Sequence, residues 1–270
     1  MRSISIPVTI AVLATALVYW RGWSRLRGAS HESPSVRTLT IFTSGMVALW
    51  ISVGSPLANA DHVRLAFHMV QHLLLMTIAA PLILLANPIA ILGAGLPVRL
   101  TRSVLNPLLR RLHRLGSFLN HPVCCWVAGT GVVIAWHIPP VFALGMHSQI
   151  WHAVQHASFF AGGLLFWWPV LRPWPWSEKW PRWSIPLYLF FATLPCDALS
   201  AFLTFCGHVV YPSHGATALA DSASRLQDQE LAGALMWSWV TFAYLIPAVR
   251  ITLQILAPGP SSSSADLSTA

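Results

Sequence analysis

Apolar and polar positions along this chain alternate on the scale of whole helices rather than single turns. Seven apolar runs stand out, at 4–20, 38–57, 65–86, 123–143, 150–171, 185–206 and 231–256, each near the roughly 20 residues that one bilayer crossing takes. The pattern predicts an all-α, polytopic transmembrane bundle of about seven helices. The first run follows Arg2 as a secretory leader would, but "LATALVYWRGW" offers no small-residue cleavage site and reads as a retained first helix. Pro81 and Pro88 make the third run the least regular, and "PIAILGAGLP" after it reads as a short surface or re-entrant piece. Residues 1–257 are thus expected to form a single transmembrane domain. The low-complexity "PGPSSSSADLSTA" at 258–270 is expected to be a disordered cytoplasmic tail.

Composition agrees with the pattern. Hydrophobic residues make up 55% and charged residues only 9% of the chain, and the mean hydropathy is +0.61. Such a balance places the chain in a membrane and leaves no stretch for a soluble domain. The formal net charge of +8 would point to nucleic acid in a soluble protein. Here arginines in short loops are expected from topology alone, so no nucleic-acid partner is read.

Those charges also set an orientation. Arg21, Arg25, Arg27 and Arg37 lie between runs one and two, and Arg99, Arg102, Arg110, Arg111 and Arg114 between three and four. Arg172, Lys179 and Arg182 lie between five and six, and Arg250 is near the end of seven. Thirteen of the sixteen basic residues therefore fall on alternate connections. Arg2, Arg64 and Arg225 share the other side with Asp61, Asp221, Asp228 and Glu230. Basic loops stay cytoplasmic, which predicts an outside N-terminus, a cytoplasmic C-terminus and an odd number of crossings in a bacterial cytoplasmic (inner) membrane.

The candidate chemistry lies in two repeats of one pattern, "HMVQH" at 68–72 and "HAVQH" at 152–156. Residues i and i+4 share a helix face about 6 Å apart along the axis, so each pattern presents two imidazoles one turn apart. Runs three and five have the same direction, which puts both patterns at one membrane level. Met76 continues the stripe of His68 and His72, and His137 in "AWHIPP" is expected at a similar depth. His62, His147, His208 and His214 are also assigned to the outer half; only His31, His113 and His121 are cytoplasmic. Neutral imidazoles gathered at one level, with a thioether nearby, suit a metal site, and methionine tilts the choice toward Cu(I). The plainer reading of any one of them is a hydrogen-bonded packing histidine.

Run six carries Asp197, Ser200, Thr204 and His208 at spacings of three and four. Asp197 could accept a proton from a ligating histidine or bond a neighbouring helix. Cys206 reads as a soft ligand near the outer face or an apolar filler, while Cys124 and Cys125 lie at the far end of run four. No C-x-x-C pair, G-x-S-x-G, P-loop or H-E-x-x-H occurs, and no enzyme activity is read. Asp228 and Glu230 in "DQELAGALMW" open the last run, where acids favour a helix N-terminus.

Taken in order, "HMVQHLLLMTIAAPLILLANP", "WHIPP", "HAVQHASFFAGGLLFWWPVL", "PLYLFFATLP" followed by "LTF" and "YP", and "DQELAGALMW" resemble the successive motifs of the seven-helix CtaG family. These are bacterial cytochrome c oxidase assembly proteins, distinct from the single-span copper-delivery protein that shares the name. The resemblance spans about residues 36 to 256. It implies that His68, His72, His137, His152 and His156 match the family's histidine positions, and that Asp228 and Gln229 match its acidic-amide start of the last helix. It further implies a part in forming active haem–copper oxidase, with copper as cofactor or cargo on the periplasmic face. Partners would be oxidase subunits, the lipid bilayer and a periplasmic copper chaperone. Gln71 and Gln155 vary to acid in relatives, which implies that they support ligands rather than ligate. The role of Cys206 and His208, in "FCGHVVYP", is not carried over.

Two other functions remain open on the sequence. A membrane b-type cytochrome would also take histidines from two helices, although ligands in both leaflets would be expected. A metal-free assembly scaffold would use the same histidines for packing.

Overall fold

The computed structural model describes residues 5–29, 33–55, 64–111, 121–171, 181–212 and 221–257. The readings placed on Arg2, His31, Asp61, His62, His113, Arg114, Arg172, Lys179, His214 and the tail at 258–270 lie outside the described residues.

Every apolar run is helical: α1 Ser5–Ala29, α2 Val36–Val53, α3 Leu65–Leu85, α6 Pro122–His137 with α7 Pro139–His147, α8 Gln149–Leu171, α9 Ser184–Phe205 and α10 Ser222–Leu256. Two shorter pieces, α4 Pro88–Gly95 and α5 at 98–111, follow α3. No strand occurs among the described residues. Five helices are long and apolar enough to cross a membrane, or six with the α6–α7 pair taken as one broken span. α8 has the length but falls outside that set, because His152, Gln155 and His156 dilute its apolar face. The chain is a multi-pass membrane protein.

Three boundaries differ from the hydropathy pattern, each for a physical reason. The run at 123–143 is two helices meeting at 80°, since Pro139 and Pro140 cannot continue the ladder of α6 and Ile138 goes extended before them. α1 runs nine residues past the apolar run's end at 20, and α10 begins nine residues before 231. Both extensions are polar, so hydropathy does not see them. α10 starts where Asp221 accepts the Ser224 amide at 2.9 Å. The Ser224 hydroxyl and amide hold the Asp221 carboxyl below the usual carboxylate range.

Helix directions follow from the contacts at helix ends. The Trp50 indole near the end of α2 donates to Thr9 at the start of α1, while Trp23 near the end of α1 donates to the Ser35 carbonyl before α2, so these two are antiparallel. α3, α8 and α10 begin at the end of the bundle where α6 and α9 finish, as the contacts Leu65–Asp228, Tyr211–His137 and Gln229–Cys206 require. A core of Met76, Val133, Phe159, Phe166, Leu189 and Met236 joins these five helices. α1, α2 and α4 pack on the outside of α3 around a second core, where the Tyr19 and Phe42 rings stack at 3.6 Å and the Tyr19 hydroxyl donates to the Ala86 carbonyl at 2.7 Å. The piece expected as superficial or re-entrant is thus α4, clasped to α1 by reciprocal glycines. A Cβ on Gly22 would strike the Ile91 carbonyl, and one on Gly95 the Val18 carbonyl.

Candidate functional site

Both H-x-x-Q-H patterns occupy the first turns of their helices, α3 and α8, and face each other. His68 lies beside His152 with ring centroids 5.7 Å apart, and His72 beside His156 at 5.3 Å. Within each helix the rings stand 4.2 Å apart. Position 68 pairs with 152 and 72 with 156, an order that only parallel helices allow. Four imidazoles thus form one quartet at one level, as the repeat predicts. His68 and His72 are buried; His152 and His156 are half-buried.

Aromatic rings close the quartet on its inner sides. Phe159 stacks on His72 at 4.0 Å, and Phe142, delivered by the bend into α7, meets His68 edge-on at 5.3 Å. Gln155, 1% exposed, approaches the His68 Nε2 with its amide nitrogen at 3.5 Å, a long contact.

His137 reaches the same region from the last turn of α6. Its Nδ1 lies 2.7 Å from the Val133 carbonyl, which can only accept, so Nδ1 carries the proton and Nε2 keeps a lone pair. That Nε2 is buried without a hydrogen-bond partner. The Tyr211 hydroxyl donates to the His137 carbonyl at 2.8 Å and fixes the helix end. His72 borders the same cavity in the same condition: it is 5% exposed, and neither ring nitrogen has a hydrogen-bond partner. Buried polar atoms of this kind are costly unless something else satisfies them.

Beneath the quartet is a cavity of about 30 Å3 lined by His72, His137, Met69, Met76, Cys196 and Met236 among others. Met76 is placed there by a feature invisible to hydropathy. The helix widens to π-type hydrogen bonding over Leu74–Ala79, which frees backbone groups. The Trp167 indole takes up the Met76 carbonyl at 2.9 Å, and the Trp239 indole bonds the Thr77 hydroxyl at 2.8 Å.

The remaining predicted residues lie elsewhere. Asp197 is half-buried on α9, where it meets Thr193 one turn back; its neighbour Cys196 lines the cavity instead. His208 is exposed, and its Nδ1 donates to the Cys206 carbonyl at 2.8 Å. Gln229 binds this turn together, donating to the Leu203 and His208 carbonyls and accepting the Val210 amide. Asp228 does not cap its own helix: its carboxyl accepts the Leu65 amide at the start of α3, at 2.6 Å. Arg64, at the N-cap of α3, makes no side-chain cap bond, so Asp228 supplies the missing acceptor from another helix.

The donor set, imidazole with thioether, is one that copper favours. The geometry is not that of a preformed metal centre. Only His68 and His152 stack, the other ring pairs meeting edge-on or tilted, and among the described residues no group of three or more His, Cys, Asp or Glu is placed to hold a metal ion.

Residues 17–257, which contain every one of these side chains, match the cytochrome c oxidase caa3 assembly factor (Caa3_CtaG) family. The chain belongs to that family. The chain is also similar to uncharacterized proteins of Mycobacterium bovis and Mycobacterium tuberculosis, each 25% identical over 252 residues. The match covers 90% of this chain and 38% of each relative, so the chain spans well under half the length of the curated relatives it matches. No solved structure matches the chain.

Proposed function

We propose that this protein assists assembly of a haem–copper oxidase in the bacterial cytoplasmic membrane by handling copper as cargo at the His68–His72–His152–His156 quartet. It acts as a carrier rather than an enzyme. The observation that carries this reading is His72, buried in the quartet with both ring nitrogens unpartnered while the His137 Nε2 lone pair borders the same cavity. Buried imidazoles without hydrogen bonds are stabilised by a ligand that accepts their lone pairs, and copper does so. Rotation of the packed rings would bring their nitrogens onto a common ion.

The basic connections support a quartet on the periplasmic side, with the N-terminus outside and the C-terminus in the cytoplasm. Copper would arrive from a periplasmic chaperone and leave to an oxidase subunit. A haem-binding reading gains no support, because the cavity beside the histidines is about 30 Å3, far below the roughly 300 Å3 or more of pockets that hold organic ligands. A scaffold reading draws on one observation, the ring-on-ring packing that leaves no preformed ligand set.

Metal analysis of the purified protein separates the readings. About one copper per chain or per dimer is expected, abolished by His72→Ala with His156→Ala in a protein that keeps its helical spectrum. Wild-type copper in that double variant would exclude these two as essential ligands.

A further inference from the structure

We infer that the cavity below the quartet is a second, inner site for a soft monovalent metal ion, held by the Met76 and Met236 thioethers with the His72 and His137 imidazoles. This rests on the copper reading of the quartet and adds to it an interior stop with sulfur ligands.

The walls come from four helices. Met76 and His72 stand one turn apart on α3, His137 ends α6, Met236 is on α10, and Cys196 closes the α9 side. Met76, Met236 and Cys196 are 5%, 3% and 4% exposed. A volume of about 30 Å3 exceeds the roughly 10–15 Å3 that one water-sized occupant needs, so it has room for a single ion. One ring nitrogen of neutral His72 and the Nε2 of His137 supply unpartnered lone pairs beside it, from side chains more than nine-tenths buried.

Charge selects the ion. Thioether and neutral imidazole bring no negative charge, so the bound ion leaves its full charge in the membrane interior, where each unit is expensive. A monovalent ion therefore fits better than a divalent one. Thioether sulfur also selects Cu(I) over harder ions. Of the quartet histidines, only His72 lines the cavity. It is the one side chain shared by both places, and turning its ring would pass an ion from the outer nitrogens to the inner sulfurs. The π-type turn at Leu74–Ala79 sets Met76 for this, with its carbonyl held by Trp167.

The test is anaerobic titration of the purified full-length protein with Cu(I) against a competing chelator, followed by X-ray absorption at the copper edge. Sulfur scattering beside nitrogen is expected in the wild type and in His68→Ala/His152→Ala. Met76→Leu/Met236→Leu, which nearly preserves core volume, should lose the sulfur signal and bind Cu(I) about tenfold or more weakly. Cu(I) bound through nitrogen alone in the wild type would overturn the inner site while leaving the quartet reading intact. No Cu(I) bound by the wild type would overturn both. The wild-type spectrum decides the matter even where a variant fails to fold.

Discussion

Leu65 and Asp228 are 163 positions apart in sequence and joined by a single 2.6 Å hydrogen bond from the Leu65 amide to the carboxyl group. The bond fastens the start of α3, three residues before His68, to the second turn of α10. The depth of the quartet therefore depends on a helix that contributes none of its histidines. Asp228→Ala leaves a buried amide without an acceptor, a cost of about 1–3 kcal/mol. Amide exchange at the start of α3 should accelerate, the unfolding midpoint in detergent should fall, and Asp228→Asn, which keeps an acceptor, should do less. Unchanged exchange in Asp228→Ala would mean that α3 is held by other contacts.

Gly163 packs α8 tightly against α3 beneath the histidines. A Cβ there would meet the Met76 Cα at 2.9 Å and carbonyl at 3.0 Å, backbone atoms that cannot swing aside. Gly163→Ala should therefore spread the two helices, cost about 1–3 kcal/mol as overpacking does, and weaken metal binding although it touches no histidine. Gly131, with open space around its Cβ position, is the control: Gly131→Ala should leave stability and binding near wild type. Thermal unfolding and copper titration of the pair check this.

Trp167 should matter through the backbone it holds. Its indole is the partner of the Met76 carbonyl in the π-type turn, so Trp167→Phe should cost about 1–3 kcal/mol from the unsatisfied carbonyl. The expected readout is faster amide exchange confined to α3 below His72, with the aromatic packing kept.

Orientation is open to a direct check. A reporter active only in the periplasm should work when fused after Pro212 and fail when fused after Arg111. The reverse result would move the quartet to the cytoplasmic side and remove the route from a periplasmic copper donor.

The all-helical, multi-pass character was legible because a bilayer demands long apolar runs, although five or six helices rather than seven meet the length and hydropathy of a span, and the parallel pairing of α3 and α8 because the same pattern recurs in runs of like direction. The quartet followed from that. What hydropathy could not show depends on backbone or on distant partners. The 80° break needed the paired prolines after Ile138 to be read as a stop, a signal that was present in "HIPP". The π-type turn has no comparable signature. Asp228 looked like a cap for its own helix and caps α3 instead, since only the folded bundle brings Leu65 to it. Cys196 and Met236 lie in apolar runs as ordinary core residues, and nothing local marks them as walls of the cavity under His72.

The central claim concerns copper delivered to an oxidase through the histidines, so the most direct measurement is the copper and haem content of oxidase isolated from strains carrying His68→Ala/His72→Ala or His152→Ala/His156→Ala. With the variant proteins accumulating normally in the membrane, oxidase copper and activity are expected to fall to a small fraction of wild type while haem stays nearer normal. Excess copper in the medium should partly restore activity by mass action. Full copper loading of the oxidase with both histidine pairs removed would contradict the claim and leave a metal-free scaffold in its place.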